Sequence, residues 1–142
     1  MNPNGQPVAR EMIIPSDLSA ARQLQSEIEE FLHRVHFPET EIFAIKMAVE
    51  EALVNAIKHG NQMDPSKIVK VMYQVKADRF EVRITDEGPG FDPGDVPDPT
   101  APENLERPCG RGLLLIRYYM TEVTFDDNGS TILMHKLRPG SK

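Results

Sequence analysis

Apolar positions recur with a helical period in two stretches near the start of the chain. Leu18, Ala21, Leu24, Ile28, Phe31 and Leu32 share one face of a 3.6-residue repeat. The repeat predicts a helix from an N-cap at Ser16 or Asp17 to about His36. Pro38 interrupts it. A second helix is expected from about Thr40 to His59, burying Ile42, Ile45, Val49, Ala52, Leu53 and Ala56 and stopping at Gly60. The period then changes from 3.6 to 2. IVKVMYQVK (68–76) and FEVRITD (80–86) alternate in polarity and are rich in β-branched and aromatic residues, and Ala77-Asp78-Arg79 joins them as an antiparallel hairpin.

Arg10 to Ile14 reads as a short strand ahead of the first helix. Beyond Asp86 a long segment dense in Pro, Gly and Asp carries no core periodicity. GLLLIRYYM (112–120) reads as a short helix, followed by a closing hairpin turning at Asp127-Asn128-Gly129. The expected fold is therefore α+β: a two-layer sandwich with helices on one face of a mixed, mainly antiparallel sheet. The expected organisation is a disordered segment over residues 1–9 and a single domain over 10–138, with a loop at about 91–112.

Composition narrows the function classes without choosing one. With 142 residues the chain can bury a real core, and 39% apolar with 27% charged residues is ordinary for a soluble globular protein. A net charge of −6 argues against direct nucleic-acid binding. No apolar run approaches the ~20 residues that span a bilayer, so no membrane association is expected. The N-terminal residues lack the apolar segment of a signal peptide, and Cys109 stands alone, which makes a reducing cytoplasm the expected compartment. His33, His36, His59 and His135 form no metal-ligand spacing, and Met47, Met72, Met120 and Met134 read as core filling.

Three segments carry candidate chemistry. In EEALVNAIKHGN (50–61), Glu51, Asn55 and His59 recur at four-residue spacing on a helix. A carboxylate such as Glu51 can act as a general base, and the Asn55 carbonyl oxygen suits Mg²⁺. Lys58 and His59, near the helix end, are placed to reach phosphate oxygens, although for Lys58 taken alone a solvated helix face is the preferred reading. Next, Asp86-Glu87-Gly88-Pro89-Gly90 sets an acid at a strand end before Gly-x-Gly, which lets backbone approach a flat ligand. Asp86 there can accept from an exocyclic amine, and a plain turn is the competing reading. Finally, Gly110-Arg111-Gly112 opens the LLLI helix, where free N–H groups and the dipole favour an anion, unless the glycines merely form a hinge.

The ordered trio resembles the nucleotide-binding boxes of the GHKL (histidine-kinase-like) ATPase superfamily, through EEALVNAIKHGN, DEGPGF and GRGLLLI. The Glu-Ala-x-x-Asn form of the first box and the small size bring it nearest to the bacterial anti-sigma factor serine/threonine kinases. That resemblance covers roughly residues 10 to 137 and implies ATP and Mg²⁺ as cofactors. It implies Glu51 as the base, Asn55 as the Mg²⁺ ligand, and Lys58 and His59 beside the phosphates. Asp86 would read the adenine amine, with Gly88 and Gly90 against the base and Thr131 near both. Gly110, Arg111, Gly112 and Leu113 would close the ATP lid over the phosphates. The implied partners are a sigma factor or similar target, a small anti-sigma factor antagonist phosphorylated on Ser/Thr, and a second copy of the chain through the exposed N-terminal strand. Pro93, Pro97, Pro99, Pro102 and Pro108 stiffen the lid, which motivates an alternative: a nucleotide-gated protein-binding module with little or no turnover.

Overall fold

The computed structural model describes residues 8–88, 108–126 and 130–139. Strand β1 (Val8–Pro15) leads into α1 (Leu18–Arg34) and α2 (Glu39–Val54), which runs on as a π-helical turn, Asn55–Gly60. Strands β2 (Ile68–Val75) and β3 (Arg79–Thr85), helix α3 (Pro108–Tyr119), and strands β4 (Glu122–Asp126) and β5 (Thr131–Leu137) follow. Val8 and Ala9 thus pair in a strand rather than belonging to the expected disordered segment; residues 1–7 of that segment lie outside the described residues, as do the 127–129 turn and most of the lid. The sheet runs β1-β2-β3-β5-β4, and every described pair is antiparallel, so the parallel component of the expected mixed sheet is absent among the described residues. β1 and β4 form its edges.

Alternation decides which face the helices cover. On β2, Val69, Val71, Tyr73 and Val75 are buried while Lys70 is exposed; on β3, Phe80, Val82 and Ile84 are buried while Arg83 is exposed. Register sets Val71 beside Ile84 and Ile84 beside Ile132, so the apolar rows align across strands. Against them pack Leu24, Ile28, Phe31 and Leu32 of α1 and Ile45, Val49, Ala52 and Leu53 of α2. α2 touches α1 on one side and α3 on the other, so apolar residues occupy most of its circumference. Truncating a fully buried residue such as Leu53 to alanine costs roughly 2–5 kcal/mol.

Local chemistry sets the helix ends. Asp17, of the two expected caps, accepts the Ser19 N–H at 2.9 Å; Ser16 is buried instead and donates to the Lys67 carbonyl at 2.9 Å. α1 stops two residues before His36, which takes a left-handed φ of 62°. The carbonyls just past its end, on Val35 and His36, accept from the Arg138 guanidinium, which also covers the Phe37 ring at 4.3 Å. α2 begins after Pro38, with Glu39 and Glu41 in its first turn, where the helix dipole favours acids.

Candidate functional site

The floor of the site is the junction of α2 with the π-turn. The Asn55 N–H still bonds to the carbonyls of Glu51 and Ala52, so Glu51 and Asn55 keep the i, i+4 relation of one helix face. Both are half-buried, and neither side chain is engaged by another described residue. From Asn55 onward the repeat widens: the Asn61 N–H reaches the Ala56 carbonyl five residues back, at 2.8 Å. The single stripe expected through His59 is therefore broken, because an α-helical period no longer applies beyond Asn55. Lys58 and His59 are both exposed. Two uncommitted oxygen-bearing side chains one turn apart suit a hard cation that keeps most of its waters. No group of three or more His, Cys, Asp or Glu among the described residues could hold a metal alone, so an ion here would complete its shell with water and ligand oxygens.

The wall is the end of β3. Asp86 donates its N–H to the Ser130 carbonyl at 2.9 Å, and its Oδ1 accepts the Gly88 N–H at 2.8 Å in an Asx-type turn. Burial pushes the Asp86 carboxyl above the usual carboxylate range, opposed by the Gly88 N–H and, more weakly, by Lys67. Beside it the hydroxyls of Thr85 and buried Thr131 lie 2.9 Å apart. Glycines make the junction with the floor. A Cβ on Gly60 would overlap the Asp86 carboxylate, and one on Gly88 would overlap the Gly60 carbonyl. The first two sequence segments therefore meet backbone to backbone.

The third segment differs from expectation. α3 starts at Pro108, so Gly110, Arg111, Gly112 and Leu113 lie within its first turns instead of preceding it. Proline suits the first helical position, where its missing N–H costs nothing. The N–H groups of a first helical turn have no partner within the helix itself, and α3 packs beside α2 and the π-turn. Gly90 lies outside the described residues.

One residue of the site escaped sequence reasoning. Asn61 is fully buried and bonds three segments at once. Its Nδ2 donates to Ser16 Oγ at 2.8 Å and to the Ile68 carbonyl at 2.9 Å; its Oδ1 accepts the Glu87 N–H at 2.7 Å. Glu87 Oε1 in turn accepts the Ile68 N–H at 2.6 Å. An asparagine just after a helix-stopping glycine reads as an ordinary turn residue, so no local signal distinguished it.

A family model for the histidine kinase-like ATPase domain matches residues 14–136, from the end of β1 through β5. The chain belongs to the histidine kinase-like ATPase family. Within this ATPase family it is similar to serine-protein kinase RsbW of Staphylococcus aureus (strain bovine RF122 / ET3-1), 29% identical over 134 residues, covering 89% of this chain and 84% of that one. Serine-protein kinase RsbW of Bacillus cereus (strain Q1) is 27% identical over 133 residues, covering 89% and 82%. A crystal structure of the RsbU and RsbW domains of a Mycobacterium tuberculosis protein superposes with a TM-score of 0.61 at 16% identity. It matches 94% of this chain, which spans about a third (33%) of that longer chain, and the likeness is one of fold. The five-stranded antiparallel sheet with its helices is thus the ATPase family's fold.

Proposed function

We propose that this protein is an ATP- and Mg²⁺-dependent serine/threonine protein kinase of the partner-switching kind. It binds a sigma factor or similar regulatory target and phosphorylates a small anti-sigma factor antagonist. The observation that carries the reading is the pair Glu51 and Asn55: half-buried, one turn apart, unengaged by any described residue, and on the helix whose π-helical end, at Gly60, packs against Asp86. Similarity to RsbW serine-protein kinases over 89% of the chain supports the choice of reaction.

The residues divide the work by chemistry. Asp86 accepts from the exocyclic amine of adenine, while Gly88 and Gly90 leave room for the ring and Thr131 lies at its edge. Asn55 would hold Mg²⁺ through its amide oxygen, and the ion would supply charge neutralisation on the phosphates. Lys58 and His59, exposed on the π-turn, reach toward phosphate oxygens as flexible cations and donors. Gly110, Arg111, Gly112 and Leu113 close over the phosphates, with N–H groups at the start of α3 as donors. Glu51 takes the proton of the attacking serine or threonine hydroxyl. As that oxygen bonds to the terminal phosphorus, the bond to the bridging oxygen breaks and ADP leaves. Residues 91–112 serve as the ATP lid within a single kinase domain over 10–138. The edge position of β1 supports pairing with a second copy. No helix among the described residues is long and apolar enough to cross a membrane; the site of action proposed with this reading is the cytoplasm.

The test is transfer of label from γ-labelled ATP with Mg²⁺ to the small antagonist proteins of the same genome. The wild type should label one of them on Ser or Thr. Glu51→Ala should retain ATP binding and lose roughly 10²–10⁴-fold in transfer, the usual worth of a positioned base. Full activity in that variant would remove Glu51 from its role. ATP-dependent partner binding without a labelled product would favour the nucleotide-gated module instead.

A further inference from the structure

We propose that Asn61 is a positioning residue for base recognition: a side chain that does not touch the nucleotide but sets how strictly Asp86 distinguishes adenine. The inference rests on the reading of Asp86 given above. Asn61 is fully buried, so it acts only through its partners. Those partners lie 45 residues away at Ser16, seven away at Ile68 and 26 away at Glu87. The last matters most, because the Glu87 N–H immediately follows Asp86. With Asp86 Oδ1 held by the Gly88 N–H and Glu87 Oε1 held by the Ile68 N–H, the bond from Glu87 to Asn61 completes the fixation of the turn. A carboxylate fixed this way meets the amine of adenine but faces the carbonyl that guanine carries at the same place, which repels it.

The local backbone is shaped to deliver this side chain. The π-turn inserts an extra residue, so the Asn61 N–H bonds to the Ala56 carbonyl and the Met63 N–H to the Ile57 carbonyl, each at 2.8 Å. The exit then places two successive non-glycine residues, Gln62 and Met63, at left-handed φ of 54° and 58°. Such residues are strained and persist only where surrounding contacts over-determine them. Here those contacts hold Asn61 under the Asp86 turn. The same arrangement seats the Gly60 carbonyl where only a glycine at 88 can pass. The floor and wall of the site are therefore in direct backbone contact.

The experiment measures ATP and GTP affinity by calorimetric titration, with Mg²⁺, for wild type, Asn61→Ala and Ser16→Ala, each first checked for folding by circular dichroism. Asn61→Ala should lower the ATP-to-GTP affinity ratio by about 5–10-fold, one lost hydrogen bond's worth of fixation. A purely structural role would weaken both nucleotides by the same factor and leave the ratio unmoved, which overturns the proposal. If Asn61→Ala does not fold, Ser16→Ala decides: a smaller fall in the ratio, about twofold, upholds the proposal, and an unchanged ratio overturns it. Failure of the wild type itself to prefer ATP would instead sink the assignment of Asp86, so the two failures are distinguishable.

Discussion

The two ends of β3 solve the same problem in opposite ways. At one end Asp78 lies beside the hairpin turn, 3.1 Å from the Arg79 guanidinium, and that hydrogen bond holds its carboxyl below the ordinary range. Glu81 there is shared between Lys76 at 3.2 Å and Arg79 at 3.9 Å, all partly exposed. Such pairs contribute little individually and are screened by salt. At the other end Asp86 has no ion pair among the described residues; burial raises its pKa, and its neighbours are glycines, threonines and a buried asparagine. One aspartate is satisfied by its surroundings and the other is held short of satisfaction. A group kept at a desolvation cost, in a turn fixed from four directions, is what a ligand-reading residue requires.

The largest test of this contrast is steric. Gly88→Ala drives a Cβ into the Gly60 backbone, which no side-chain rotation relieves, and should cost roughly 2–3 kcal/mol in urea unfolding. Ala77→Ser, in the exposed turn at the other end, should stay within about 0.5 kcal/mol of wild type. Equal costs would break the comparison.

Asp86→Asn comes next. Asparagine keeps an oxygen for the Gly88 N–H but loses the charge, so ATP affinity should fall roughly 10–100-fold, while unfolding of the ligand-free protein at pH 7 needs at least as much urea as wild type. A variant less stable without ligand would show that the carboxylate is satisfied after all.

Smaller still is the pH dependence, and its sign differs between the two ends. Asp86 has a folded pKa above its ordinary 3.8, so its contribution to stability is fully present below 3.8 and is lost as pH rises through the folded value. The stability advantage of Asp86→Asn should therefore open as pH climbs from about 4 toward neutrality. Asp78 is shifted down, so its contribution is present above 3.8 and lost as pH falls through the folded value. Asp78→Asn should thus be slightly destabilising at neutral pH and indistinguishable from wild type in strong acid. Parallel slopes in the two denaturation series would erase the distinction drawn here.

Much of this was legible in order along the chain. The apolar stripe of α1, the alternation of β2 and β3 and the tight turn at Ala77-Asp78-Arg79 are contacts between near neighbours, and all appear. The family match bears out the resemblance read from Glu51, Asn55, Asp86 and the Gly110–Gly112 segment. Boundaries fared less well. α3 begins at Pro108 because a proline that ends other helices also starts this one. The helical run through His59 kept its direction but changed its repeat at Asn55, since a π-turn has no composition of its own.

Residue order alone settled which segments are helix, which are strand, and which three carry polar groups that a core would not tolerate without purpose. Periodicity and turn chemistry act over a few residues, and a chain read once shows them. Folding in three dimensions decided that Gly60 lies against Asp86 and Gly88, that Asn61 ties Ser16, Ile68 and Glu87 together, and that β5 pairs between β3 and β4. These contacts join residues as far apart in sequence as Arg79 and Leu137, and their geometry depends on where the packed sheet and helices bring each backbone, which no local pattern encodes.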